Sequence, residues 1–404
     1  MQNRELLKAE IVVRSPTAPS AKLYVAAPLP STAIAKMSAE DEVSKLLAGA
    51  VDSRGALPNV KQGKICDMVK EWTAATDKPF ISFEYFPPKT EEGVQKLHKQ
   101  IEIMAAQKPL FMDFTWGAGG TTSDLTLDLS KTSQKQHNLM VNMHLTCTNQ
   151  VKEKCDFGLT GAKDAGICNI VALRGDPPKG QEKWEVTEGG FACALDLVKY
   201  MRAGYGDYFS IQVAGYPEGH PDNILPTADL GRELSDREKS RTVMVEVDGN
   251  LVEHVCSDEK MKIEIDYLKQ KVDAGGDAII TQLFYDMDVF KAFVADCRAA
   301  GINVPIFPGI MPLNAYGGFK RMTGFCKTRI PPAMAERMAT CNGDSDEQKK
   351  AFQDFGTAYL TELCQQLVES KLVPGLHFYC LNQALRSFAI LKNLGYLQEP
   401  PKAE

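Results

Sequence analysis

From residue 79 onward, short apolar runs recur along the chain, each followed by a turn signal and most by an amphipathic segment. The runs are Phe80–Phe86, Leu110–Trp116, Val141–Cys147, Asn169–Arg174, Phe209–Ala214, Ala278–Phe284, Pro305–Met311 and Leu376–Leu381. Several are apolar almost throughout rather than alternating, the pattern of strands buried on both faces. Thr90–Ala105, Ala192–Ala203, Glu264–Ala274 and Asp288–Ala299 carry helical spacing, and the last two run into Ala-Gly, a helix stop. Eight strands alternating with helices predict an α/β fold, a (β/α)8 TIM barrel rather than an open doubly wound sheet. Gly117-Ala118-Gly119-Gly120 follows a strand but lacks the G-x-G-x-x-G register and a matching acid about 20 positions on, so it is a weak dinucleotide fingerprint.

Two stretches exceed the usual spacing of a barrel. Residues 221–262 alternate apolar and polar positions around Asp248-Gly249, which predicts a hairpin inserted in a loop, with an unstructured insertion as the alternative. Residues 330–374 hold one or two helices, of which Phe352–Ser370 is the clearest. Residues 1–60 read as an N-terminal extension rich in Ser and Pro, with one short helix near 39–49. The expected organisation is therefore 1–60 as extension and 61–398 as barrel, interrupted at about 221–262.

Composition narrows the function. Of the 404 residues, 46 are basic and 52 acidic, giving a net charge of −6, which weighs against a nucleic-acid partner. No apolar run approaches the roughly 20 residues of a membrane helix. Eleven cysteines without a C-x-x-C pair give neither a disulfide framework nor zinc spacing, and favour a reducing, cytoplasmic setting. The first 30 residues lack a continuous apolar stretch and carry acids, unlike a transit peptide.

Reactive side chains of such a barrel belong at the C-terminal ends of the strands. Polar residues at those ends are Glu84, Thr115, His144, Arg174, Asp176, Tyr216, Gln282 and Tyr379. Glu84, between Phe83 and Tyr85, is expected to sit among aromatics that favour its protonated form and make it a proton donor; the alternative is an ion pair across the mouth. Arg174-Gly175-Asp176 combines an anion-binding fork, a backbone able to approach a flat ligand and an acid for ring N–H groups or a developing cation, or else forms a structural salt-bridge turn. His144 is read as a packed histidine or as a ligand. No histidine set has metal spacing, so no metal is expected, and neither a G-x-S-x-G elbow nor a Cys–His pair is evident.

Together, Phe83-Glu84-Tyr85-Phe86-Pro87-Pro88, Thr115-Trp116-Gly117-Ala118-Gly119, His144-Leu145-Thr146-Cys147, Leu173-Arg174-Gly175-Asp176-Pro177, Ala214-Gly215-Tyr216-Pro217, Lys271-Val272-Asp273-Ala274-Gly275, Ile280-Thr281-Gln282 and Leu376-His377-Phe378-Tyr379 closely resemble the catalytic barrel of methylenetetrahydrofolate reductases, over about 79–395. The resemblance implies a flavoprotein with non-covalent FAD, reduced by NADPH or NADH as co-substrate. By a ping-pong course it would then reduce 5,10-methylenetetrahydrofolate to 5-methyltetrahydrofolate, in one-carbon metabolism and methionine biosynthesis. It implies Glu84 as general acid, Asp176 as the acid beside flavin and pterin, and Gln282 as the amide that contacts folate and nicotinamide. It further implies Thr115, Trp116, His144, Arg174, Gly175, Asp176, Cys193, Ala194, Tyr216, His220, Glu264 and Lys271 as cofactor-binding positions. Glu84 through Lys89 match a nicotinamide-binding segment, and Tyr379 matches a folate contact.

The chain departs from the family pattern at three positions. Glu264 stands for a usual aspartate, so the register of its ribose contact changes. Gln383 stands for a frequent arginine at the substrate site, whose role Arg386, three residues on, would take if the segment is helical. Met322 stands for a phenylalanine at the substrate site. The chain stops soon after Leu394-Gly395, without the S-adenosylmethionine-binding domain of many eukaryotic relatives, so no inhibition by that ligand is expected of it. The expected partners are small molecules, with self-association into a homo-oligomer as the macromolecular contact. Two rivals remain: another FAD-dependent barrel oxidoreductase, such as a proline-dehydrogenase-like enzyme, and a catalytically silent barrel scaffold.

Overall fold

The computed structural model describes residues 38–117, 121–175 and 187–399. All eight predicted strands are present, in a parallel ring. They are β1 (Phe80–Tyr85), β2 (Phe111–Phe114), β3 (Met140–Thr146), β4 (Asn169–Leu173), β5 (Ser210–Gly215), β9 (Ala278–Thr281), the pair β10 (Ile306–Phe307) and β11 (Gly309–Ile310), and β12 (Gly375–Tyr379). Strand order around the ring is β10-β9-β5-β4-β3-β2-β1-β12-β11. The seventh strand is split at Pro308, which has no N–H to offer a ladder. Its first half pairs with β9 and its second with β12, so the two halves close the barrel. The fold is a TIM barrel.

Side chains alternate between the helix layer and the interior. Outward residues such as Phe83, Tyr85, Met112, Phe114, Val141 and Met143 are fully buried under the helices. That double burial explains the apolar runs. The interior is layered. At its base Phe80, Phe111 and Phe307 pack as a triangle with ring centroids 5.4–5.7 Å apart. Helix Ile65–Ala75 plugs this end, placing Ile65, Met68, Val69 and Trp72 against the ring layer. Its first N–H, on Ile65, has no helical acceptor. It donates to Asn169 Oδ1 (2.7 Å), and the N–H of Cys66 donates to Ser210 Oγ (3.3 Å).

The stretch 221–262 contains a three-stranded antiparallel sheet of β6 (Ile224–Pro226), β7 (Val243–Val247) and β8 (Asn250–Cys256), in the order β6-β8-β7. Asp248 and Gly249 both have positive φ (50° and 79°), as the two-residue turn between β7 and β8 requires. Arg329 ties this sheet to the barrel, bonding Asp286 Oδ2 (2.8 Å) and the carbonyl of Thr242 (2.7 Å). Helices Pro332–Ala339 and Asp346–Ser370 fill the second long gap. Helix Ala39–Leu47 buries Val43, and the compact unit holding the barrel starts at Ala39 rather than 61. Arg54, buried, reaches the carbonyl of Pro79 (3.1 Å), so residues assigned to the extension from the sequence are partly seated on the barrel.

Candidate active site

Glu84 points into the barrel near the C-terminal end of β1. Phe83 and Tyr85, its sequence neighbours, lie on the opposite face of the strand, Phe83 near Phe388 and Tyr85 stacked on Phe114 (5.5 Å). The two rings expected to bracket Glu84 are therefore turned away, because strand alternation sends adjacent side chains apart; the aromatic that shares its face is Tyr379, in register with it on β12. Its actual neighbours are imidazoles. Glu84 Oε2 lies 3.4 Å from His144 Nε2 and 3.6 Å from His377 Nε2. The Glu84 side chain retains 17% exposure, and its other oxygen, Oε1, has no hydrogen-bond partner among the described residues.

Below this carboxylate lies a fully buried one. Asp113 Oδ2 is 3.1 Å from His144 Nε2 and accepts from Asn142 Nδ2 (3.0 Å). Burial pushes the Asp113 carboxyl up, against the pull of His377 and His144. For His144, burial opposes the charge, but the Glu84 and Asp113 carboxylates outweigh it and hold the imidazole above its ordinary value. Glu84, Asp113 and His144 place ligand atoms within 4.8 Å of one another, yet a cation there would displace the hydrogen bonds from His144 and Asn142.

A cleft of about 550 Å³ opens at the ends of β4 and β5, on the same C-terminal side of the barrel as this cluster. Seven of the predicted cofactor positions line it: Arg174, Cys193, Ala194, Tyr216, His220, Glu264 and Lys271. Helix Asp258–Asp273, capped by the Ser257 side chain on the N–H of Lys260, presents Glu264, Tyr267 and Lys271 at helical spacing along one face. Helix Ala194–Tyr205 starts at the cleft, so its first N–H groups add an anion-favouring end. Arg174 Nη2 sits 3.3 Å from His220 Nε2, and its Nη1 bonds Asp222 Oδ2 (3.2 Å). Lys271 Nζ donates to the carbonyl of Ala214 (2.7 Å); burial lowers it to about 8, opposed by Glu264. Burial also lowers His220 to about 4, against the pull of Asp222, and raises the Glu264 carboxyl, which accepts from Asn223 Nδ2.

The remaining predicted residues fall around this frame. Thr115 follows β2, its carbonyl accepting from Thr126 Oγ1 (2.9 Å). The Trp116 indole is buried against Gly158, where a Cβ would come within 2.9 Å of it. Gly175 has φ +98°, and a Cβ there would press on Thr148 and Thr146. The close approach that needs this glycine is therefore to the end of β3, not only to a ligand. Asp176 lies outside the described residues. Gln282 follows β9, with its side-chain oxygen accepting from the N–H of Leu283 (2.9 Å). Tyr379 Oη donates to the carbonyl of Thr281 (2.5 Å) across Gly309, where any side chain would collide with the phenol. Met322 is half-buried on helix Tyr316–Cys326, and Lys89 is exposed in the loop after β1. Gln383 is the exposed N-cap of helix Ala384–Leu394; Arg386, within that helix, donates to Gln353 Oε1 (2.5 Å).

Sequence reading missed Asp113, His377 and Ser82. All three sit inside apolar runs, where they passed as strand residues. The available signal was period two. Glu84 pairs in register with Asp113 and Tyr379, and Ser82 with His377, so all five point inward on neighbouring strands.

Residues 69–395 match the family model described as methylenetetrahydrofolate reductase. The chain is 47% identical over 336 residues to a probable methylenetetrahydrofolate reductase (NADH) of Oryza sativa subsp. japonica, covering 83% of this chain and 51% of the relative. It is 40% identical to methylenetetrahydrofolate reductase 2 of Saccharomyces cerevisiae, covering 83% and 50%. It is 31% identical to 5,10-methylenetetrahydrofolate reductase of Escherichia coli, covering 78% of this chain and 90% of that one. The chain thus spans about half the length of the plant and yeast relatives it matches. With a buried acid cluster at the barrel mouth and a polar cleft on the same side, over residues that match from 69 to 395, the chain belongs to the methylenetetrahydrofolate reductase family.

Proposed function

We propose that this barrel catalyses flavin-dependent reduction of 5,10-methylenetetrahydrofolate to 5-methyltetrahydrofolate, with NADH or NADPH as the reductant. The observation that carries the reading is that the same C-terminal side of the barrel holds a partly exposed Glu84 carboxylate, backed by His144, and a cleft lined by Arg174, His220, Glu264 and Lys271. That donor set suits FAD. Arg174, Lys271 and the start of helix Ala194–Tyr205 would hold its pyrophosphate, and Glu264 would accept from a ribose hydroxyl. When bound, the flavin supplies the hydride chemistry.

The protein's own work is to place and protonate. From the C-terminal end of β1, Glu84 would deliver a proton to the folate as its five-membered ring opens. Asp176 would favour the cation that results, and Gln282 and Tyr379 would orient the pterin. Lys89, Met322 and Gln383 would border the substrate at the rim. The names of similar proteins include both NADH and NADPH forms, so both reductants are carried forward.

Anaerobic stopped-flow on the purified flavin-loaded protein tests the reading. The flavin absorbance should bleach with NADH or NADPH and return on addition of methylenetetrahydrofolate. A protein that binds no flavin would point to the silent scaffold. One that is reduced by an amino acid such as proline and ignores folate would favour the other oxidoreductase.

A further inference from the structure

One wall of the proposed flavin cleft is a loop. Between β5 and β6 the chain runs from Tyr216 to Asn223, and from it Tyr216, His220, Asp222 and Asn223 line the cleft. The first half of this loop is fixed by a turn in which the Gly219 N–H donates to the carbonyl of Tyr216 (3.0 Å), and by the buried Glu218 carboxyl, which accepts from the backbone N–H of Arg329. The second half, 220–224, meets the cleft through groups that a flavin would engage. His220 and Asp222 face Arg174 (3.3 and 3.2 Å), and Asn223 Nδ2 donates to Glu264. Contacts that are exchanged when a ligand enters do not hold a loop in place for it.

Support comes from the other side. Lys327 Nζ donates to the carbonyls of Pro221 (2.9 Å) and Ile224 (2.6 Å). The two oxygens converge because the N–H groups of Asn223 and Ile224 close a short 3-10 turn on His220 and Pro221. An ammonium carries three donors on one atom and so serves both acceptors at once. The backbone at Lys327 points the same way. Lys327 ends helix Tyr316–Cys326 in the left-handed region (φ 47°), where glycine is the favoured cap and another residue costs about 1 kcal/mol. Lys371 ends helix Asp346–Ser370 likewise (φ 54°), but its ammonium meets the exposed Asp77 (3.3 Å), whereas that of Lys327 turns onto main-chain carbonyls.

We propose that Lys327 is a positioning residue for the flavin cleft: its ammonium pins segment 220–224 from behind, so that His220, Asp222 and Asn223 are in place before the flavin arrives. The proposal rests on the reading of this cleft as the flavin site, and it adds a residue that the expected site did not contain. Lys327 acts through the loop and not on the ligand. Its contribution is preorganisation, because a segment ordered beforehand loses no conformational entropy on binding.

The test uses Lys327→Gly, which keeps the left-handed cap and removes the ammonium, with Lys371→Gly as the same change at the other cap. Hydrogen exchange of the apoprotein, read by mass spectrometry, should quicken over segment 220–224 in Lys327→Gly and stay at the wild-type rate there in Lys371→Gly. Titration with FAD should show affinity about tenfold lower in Lys327→Gly, as loss of hydrogen bonds from a charged donor predicts, and unchanged in Lys371→Gly. The thermal midpoint of the Lys327→Gly apoprotein should stay close to wild type, because glycine relaxes the cap as the two bonds are lost. Wild-type exchange over 220–224 in Lys327→Gly, or wild-type FAD affinity, overturns the proposal. So does faster exchange spread over the whole barrel with a lowered midpoint, which would make Lys327 a residue of general stability. A wild type that binds no FAD would instead reject the functional reading, and the exchange of the apoprotein would still decide whether Lys327 holds the loop.

Discussion

At the scale of single residues, the site shows how strongly strand alternation controls chemistry. A glutamate flanked by Phe83 and Tyr85 reads as a carboxyl in an apolar pocket, but those rings face the helices and Glu84 faces two histidines. Asp113 and His377 escaped notice because one polar residue inside an apolar run looks like noise until neighbouring strands are in register. Lys271 is the residue-scale group with the clearest pH signature. Its ammonium is lowered to about 8 by burial, so the cleft loses a positive charge as pH rises past that value. Flavin affinity should therefore hold steady below pH 8 and weaken several-fold above it, since one unit of protonation linkage is about 1.4 kcal/mol. Titration of the apoprotein with FAD from pH 6.5 to 9.5 checks this, with Lys271→Met expected to bind weakly and without the pH trend. An identical trend in the variant would assign the titration to another group.

At the scale of elements, the eight strands and the Ala-Gly helix stops were readable because burial on both faces and left-handed caps leave unambiguous residue patterns. Gly275 and Gly301 do adopt positive φ (123° and 78°). The division of the seventh strand at Pro308 was not readable, since a short apolar run shows neither partner. The helix that plugs the barrel base was equally hidden: Ile65–Ala75 resembles any amphipathic segment, and its partners Asn169 and Ser210 are more than 100 residues away. That plug makes a firm stability prediction. Asn169→Ala leaves the Ile65 N–H and the Gly63 carbonyl without their side-chain partner and should cost about 1–3 kcal/mol. Urea unfolding of the variant checks it, and a midpoint equal to wild type would mean the base is solvated enough to replace the amide. Trp72→Ala, which empties the plug, should cost about 3–5 kcal/mol in the same assay.

At the scale of the whole molecule, the loop that leads from the barrel to the inserted sheet carries a buried acid. Glu218, after β5, is fully buried, and burial pushes its carboxyl up to about 8, against donors from its own N–H and that of Arg329. The folded state therefore keeps a proton that the unfolded chain releases near pH 4.5, so this group subtracts stability as pH rises from there to about 8. Glu218→Gln should raise the thermal midpoint at pH 8 and leave it nearly unchanged at pH 4; a uniform shift at both would attribute the effect to packing.

The central claim is that Glu84 delivers a proton needed only for folate. Single-turnover stopped-flow of flavin-loaded Glu84→Gln tests it most directly, following bleaching by NADH or NADPH and then recovery with methylenetetrahydrofolate. Bleaching at close to the wild-type rate, with recovery slowed by about 10²–10⁴-fold or more, is the predicted result. Recovery at the wild-type rate, or equal loss in both halves, would contradict it.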